Sequence, residues 1–106
     1  MPKYLIEASY TGEGVQGLRE EGGSARRAAL EQACSSVGGR LEAFYYAFGA
    51  SDVVAIIEMP DNVTAAGLGL LTAASGKVDT KTTVLLTPEE IDAAVRVGAT
   101  YRPPGG

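Results

Sequence analysis

Histidine is absent from this 106-residue chain. Its absence removes the commonest general base and the commonest metal ligand of proteins. A histidine-dependent zinc site, a histidine-ligated haem and a Ser-His-Asp triad are excluded within one chain. Any catalysis falls to carboxylates, tyrosines, lysines or the thiol. Cysteine occurs once, as Cys34, so no intrachain disulfide can form. A lone thiol fits a reducing compartment, and a cytoplasmic location is the expectation. Positive charge is also scarce, with nine Lys and Arg against thirteen Asp and Glu and a net charge of −4. That balance repels a phosphate backbone, and no segment clusters basic with aromatic residues, so nucleic acid is not an expected partner. Long apolar runs are missing too. No window approaches the roughly 20 apolar residues of a membrane helix, and Met1-Pro2-Lys3-Tyr4 enters a strand pattern without the apolar segment of a signal peptide. A membrane is therefore not an expected partner either. No loop has the acidic density of a magnesium or calcium site, and neither a metal nor a cofactor is expected.

What is present reads as one domain, residues 1–98, followed by an irregular tail, 99–106. Lys3 to Tyr10 alternates with a two-residue period and predicts a strand. The glycines of Thr11 to Gly23 predict an irregular connection. Gly12, Gly14 and Gly17 match G-x-G-x-x-G, but no parallel βαβ unit or acidic ribose contact supports a phosphate loop, and a lid over a pocket is the functional alternative. Ser24 predicts the cap of a helix from Ala25 to about Val37, with Ala29, Leu30, Ala33, Cys34 and Val37 on one stripe. Strands follow over Arg40–Phe48 and Asp52–Met59, joined by a tight turn at Gly49-Ala50-Ser51. A second helix is expected from Pro60-Asp61-Asn62 to about Ala74, with Val63, Ala66, Gly67, Leu70, Leu71 and Ala74 as its stripe. The fourth strand is Val78–Leu86. Thr87-Pro88-Glu89-Glu90 is a capping box opening a short last helix to about Val97.

The order βαββαβ is the split βαβ arrangement of the ferredoxin-like α+β fold. It predicts a four-stranded antiparallel sheet with two helices on one face and a short C-terminal helix. Alternation then assigns the faces. Tyr4, Ile6, Ala8, Tyr10, Leu41, Ala43, Tyr45, Ala47, Val53, Ala55, Ile57 and Met59 include no charge and belong to the helix side. Leu5, Phe44, Tyr46, Val54 and Ile56 fall on the opposite face among charged residues. A bare face with that much apolar surface predicts a homodimer or larger homo-oligomer, with those five residues in the interface.

Several segments carry a family resemblance across nearly the whole chain. They are Tyr10-Thr11 with Gly14-Val15-Gln16-Gly17-Leu18, Tyr45-Tyr46-Ala47-Phe48-Gly49, Asp52-Val53-Val54-Ala55-Ile56, Pro60-Asp61 and Thr80-Lys81-Thr82-Thr83. In these the chain resembles the GYD-domain family of small bacterial proteins. Gly49 and Asp52 match the glycine and aspartate that give the family its name, whereas Ser51 stands where the family has tyrosine. The resemblance implies a ferredoxin-like, dimeric α/β-barrel fold.

Candidate sites follow from the faces. Four small residues, Ala8, Ala43, Ala47 and Ala55, accompany Tyr4, Tyr10 and Tyr45 on the helix side. They mean either close helix packing or a space walled by phenols, suited to a small flat organic ligand held by Tyr4, Tyr10, Ala43 and Ala55. Asp52 is either a general base at the mouth of that space, acting with Tyr45, or an acceptor for turn amides. Glu7 and Glu58 are either a coupled acid–base pair or partners of Lys3, Arg40 and Lys81. Cys34 reads as buried and inert. Two functions stay open: a homo-oligomeric small-molecule binder, with cofactor-independent proton transfer as the chemistry that analogy to related dimeric α/β barrels offers, or a non-enzymatic interaction or assembly module.

Overall fold

The computed structural model describes residues 1–106. The alternating segment Lys3–Tyr10 forms β1, which pairs antiparallel with both β3 (Val53–Glu58) and β4 (Val78–Leu85). β3 pairs in turn with β2 (Arg40–Tyr46), so the sheet runs β2-β3-β1-β4. With helices in the two crossovers, this is the ferredoxin-like α+β fold. The helices are α1 (Gly12–Glu21), α2 (Gly23–Ser36), α3 (Asn62–Ala74) and α4 (Pro88–Ala94). α2 lies over β2 and α3 over β4, which leaves the two central strands beneath the gap between them.

Three features depart from the sequence expectation. The first is α1, which occupies the connection read as irregular. The Thr11 hydroxyl caps it by accepting from the Gly14 N–H at 3.3 Å. Glu13 and Arg19 sit at the ends that favour their charges. Gly14 serves packing rather than flexibility: a Cβ there would stand 2.1 Å from the Lys77 carbonyl oxygen, which also accepts from the Thr11 N–H at 2.9 Å. Close approach of α1 to the start of β4 therefore requires glycine. Gly22, at φ +86°, breaks the chain between α1 and α2. The connection is a helix, not a loop lid.

The second is a β-bulge in β2. Leu41 stands opposite Ile57, but Ala43 stands opposite Ile56, so Glu42 is an extra residue. One inserted residue reverses the side chains of everything after it. Phe44 and Tyr46 therefore face the helices, whereas Ala43 and Tyr45 share the open face with Glu7, Val54 and Ile56. Tyr45 is 71% exposed. β2 ends at Tyr46, and Phe48 projects fully into solvent from the turn.

The third is the orientation of α3. It buries Ala65 and half-buries Leu68 and Thr72, and it turns Val63, Leu70 and Leu71 outward at 71–81% exposure. None of its thirteen residues is charged. With no polar side to mark solvent, periodicity alone did not select the face.

The core lies under α2 and α3. Tyr4, Cys34, Ile57, Met59 and Ala65 form one buried group, and Ala8, Val53 and Ala55 a second; Ile6, Leu30 and Leu41 pack against both. The Tyr4 hydroxyl donates to Asn62 Oδ1 at 2.5 Å, so the buried phenol ties β1 to the first residue of α3. Beyond β4 comes α4, which buries none of its residues. The Thr87 hydroxyl accepts from the Glu90 N–H at 3.1 Å, and Glu90 Oε1 accepts from the Thr87 N–H at 2.9 Å, completing the capping box. Every residue from Pro88 to Gly106 is exposed. This arm helps explain a radius of gyration of 16.9 Å, against about 13 Å for a compact chain of 100 residues.

Candidate functional site

Between the sheet and the diverging helices lies a cavity of about 170 Å³. Its floor is the central pair of strands, where Ile6, Ala8 and Tyr10 of β1 alternate toward it with Val53, Ala55 and Ile57 of β3. Space exists because the side chains that reach the gap are short. Ala8 and Ala55 on the floor, Ala29 and Ala33 on α2 and Ala65 on α3 supply only methyl groups to the wall. Leu30, Leu68 and Phe44 provide the larger apolar surfaces. An engineered cavity of about 150 Å³ lined by Leu, Ile and Phe takes up benzene, so a space of this size admits one aromatic ring.

Polar groups sit toward the rim. Thr80 and Thr82 of β4 and Thr72 of α3 line one side. The Thr72 hydroxyl donates to the Leu68 carbonyl at 2.9 Å. On the other side stands Arg26, the only charged residue of the lining. Its guanidinium lies 3.3 Å from Glu21 Oε2 across the Gly22 break. Tyr46 borders this corner and donates its hydroxyl to the Gly23 carbonyl at 3.1 Å. Burial, reinforced by Tyr10, pushes the Tyr46 phenol up to about 12, with the charge of Arg26 acting in the opposite direction.

The structure sorts the sequence candidates. Tyr10 and Ala55 line the cavity. Tyr4 lies beneath it in the core, 1% exposed, with its hydroxyl committed to Asn62. Ala43 and Tyr45 are turned away by the bulge at Glu42, so neither contributes to the cavity. Asp52 is absent from the lining as well. Its Oδ2 accepts from the Tyr10 N–H at 2.8 Å, while its own N–H donates to the Ala8 carbonyl at 2.8 Å, so it anchors the entry to β3. The proposed pairing of Asp52 with Tyr45 as a proton-transfer couple is not assembled. Of the interface candidates, Leu5, Val54 and Ile56 are half-buried on the open face, where the register places Tyr45 beside Val54. Phe44 and Tyr46 are on the helix side for the same reason that Tyr45 is not.

Glu7 and Glu58 do not form a couple. Glu58 stands opposite Lys3, and Glu7 is four residues further along the same strand, roughly 13 Å away at the usual rise. Arg40 reaches Glu58 at 2.6 Å, Lys3 lies 3.8 Å from it, and Lys3 also pairs with Glu42. The hydrogen bond from Arg40 holds the Glu58 carboxyl below its ordinary range. No group of three or more acidic, cysteine or histidine side chains gathers to hold a metal ion, and no helix is long and apolar enough to cross a membrane. Cys34 is fully buried, and burial pushes its thiol up.

Arg26 was not among the sequence candidates, and Phe44, expected in the interface, lines the cavity instead. The signal for Arg26 was present, because Arg26, Ala29, Leu30 and Ala33 follow the three- and four-residue spacing of one helix face. Phe44 was hidden by the bulge.

Fold and cavity together define a ferredoxin-like α+β protein with room for a small molecule between sheet and helices. The family model GYD domain matches residues 4–95, and the chain belongs to that family. No curated protein and no solved structure matches it.

Proposed function

We propose that this chain is a homo-oligomeric binding protein for a small, flat organic molecule held between the sheet and helices α2 and α3. The observation that carries this reading is the alanine-walled cavity of about 170 Å³ over the central strands. Most cores fill such a space with larger side chains. Its apolar body with polar groups at the rim has the composition of a ligand site. Binding is favoured over proton transfer, because Asp52 and Tyr45 both lie outside the cavity. Self-association is supported by the open sheet face, where Leu5, Val54, Ile56 and the exposed Tyr45 present apolar surface beside charged residues. The uncharged outer side of α3 and the exposed arm carrying Ile91, Val95 and Val97 add to it. We place the protein in the cytoplasm, on the strength of its single unpaired thiol.

Native mass spectrometry of the purified chain, with an NMR screen of single-ring compounds, tests both parts. An oligomer with ligand-dependent shifts at Ala8, Leu30 and Ala55 is the expected result, and Ala33→Leu should abolish those shifts while preserving the fold. A monomer whose cavity resonances respond to no compound would overturn the proposal.

A second reading is an interaction or assembly module without a ligand. The outward Val63, Leu70 and Leu71 on an uncharged helix favour it. Leu70→Ser with Leu71→Ser should then abolish association, whereas Ala33→Leu should leave the molecule unaffected.

A further inference from the structure

We propose that the ligand of this cavity is a small organic acid: an apolar ring or short chain inside, with a carboxylate at the rim against Arg26. This rests on the binding function proposed above and specifies the chemistry of its ligand. The lining is apolar apart from three threonines, the Tyr10 hydroxyl and one guanidinium, and it contains no carboxylate. A neutral hydrocarbon would leave the cation unused. A ligand amine would meet the positive charge of Arg26, and the acid nearest it, Glu21, is already paired with that guanidinium and is not part of the lining. A carboxylate matches the fork of an arginine, which offers paired donors to two oxygens.

The placement of Arg26 fits that role. It lies on the same helical face as Ala29, Leu30 and Ala33 and lines the cavity with them, while its guanidinium is held beside Glu21. Leu30 and Phe44 would hold a ring whose long axis points at Arg26. Tyr46, bonded to the Gly23 carbonyl, closes the same corner.

Glu21 is the present partner of that guanidinium, at 3.3 Å, and its side chain is half exposed. A ligand carboxylate would compete with this ion pair. An exposed pair of this kind contributes little, so the exchange is readily made. Glu21 therefore acts as a built-in competitor, and its removal should strengthen binding rather than weaken it. A purely structural role for the pair gives no such gain.

The test is an NMR titration of the full-length protein with benzoate and with benzamide, which share shape but differ in charge. Benzoate should shift Arg26, Leu30, Phe44 and Ala55 and bind at least about ten-fold more tightly than benzamide. Arg26→Gln should erase the preference by weakening benzoate alone, and Arg26→Lys should keep part of it. Glu21→Gln should tighten benzoate several-fold and leave benzamide unchanged. Equal affinities at the cavity, with no effect of Arg26→Gln, would overturn the acid assignment while leaving the binding function standing. If neither compound nor any other single-ring probe shifts a cavity resonance, both fall together.

Discussion

The Asp52 carboxylate accepts the Tyr10 main-chain N–H at 2.8 Å, joining the residue just before one central strand to the last residue of the other. Tyr10 lines the cavity, so this bond fixes the end of its floor. Asp52→Ala should lower stability by about 1–2 kcal/mol, the usual consequence of leaving a shielded amide without its acceptor. Urea denaturation measures it. Asp52→Asn, which retains an acceptor oxygen, should recover part of the loss. An unchanged midpoint in Asp52→Ala would show that the amide is satisfied without it.

Two glycines of α1 should respond in opposite directions. Gly14→Ala forces a methyl group against the Lys77 carbonyl and should cost about 1–3 kcal/mol. A Cβ at Gly17 meets no atom within 4 Å, so Gly17→Ala should stabilise the helix by up to about 1 kcal/mol. Thermal melts of the two variants decide the matter, and a shared sign would contradict the helix.

Acid should act through the cluster of Lys3, Arg40, Glu42 and Glu58. Because the folded protein holds the Glu58 carboxyl below its ordinary value, the stabilisation is complete above that value and is lost as pH falls through the folded one. Arg40→Gln should flatten the stability profile on the acid side. Alkali acts on Tyr46, whose folded value of about 12 lies above the ordinary 10. Its contribution is intact below 10 and disappears as pH rises toward 12. Phenol absorbance and stability in Tyr46→Phe against the parent protein should show this late ionisation and its removal.

Cys34 should be silent to thiol reagents in the folded protein. It is fully buried with its thiol pushed up, so labelling must await opening of α2 from the sheet. Rapid modification by a disulfide reagent without denaturant would contradict its placement.

The central strands were legible because β1 and β3 alternate without interruption, and Tyr4, Ala8, Val53, Ala55 and Ile57 all face the helices as their parity predicts. β2 was not, because the extra residue at Glu42 leaves no mark in composition, and the aromatic run Phe44-Tyr45-Tyr46 looks the same in either phase. Residue type also misled in α1, where one of the glycines that suggest a loop, Gly14, instead permits close contact with Lys77 at the entry to β4. In α3 the uniform lack of charge concealed which side faces water. Arg26 carries no motif of its own, and only its spacing with Ala29, Leu30 and Ala33 ties it to the cavity face. The capping box at Thr87 depends only on neighbours in sequence, and it was read correctly.

The five alanines around the cavity have one further consequence. Its capacity is set by side-chain length, with the backbone and its hydrogen bonds left out of the matter. Exchanging Ala29, Ala33 or Ala65 for valine would narrow the chamber by small steps without moving a strand. Proteins sharing this scaffold can therefore diverge in what they accept through one or two such exchanges, and guest size becomes a property that drifts independently of the fold.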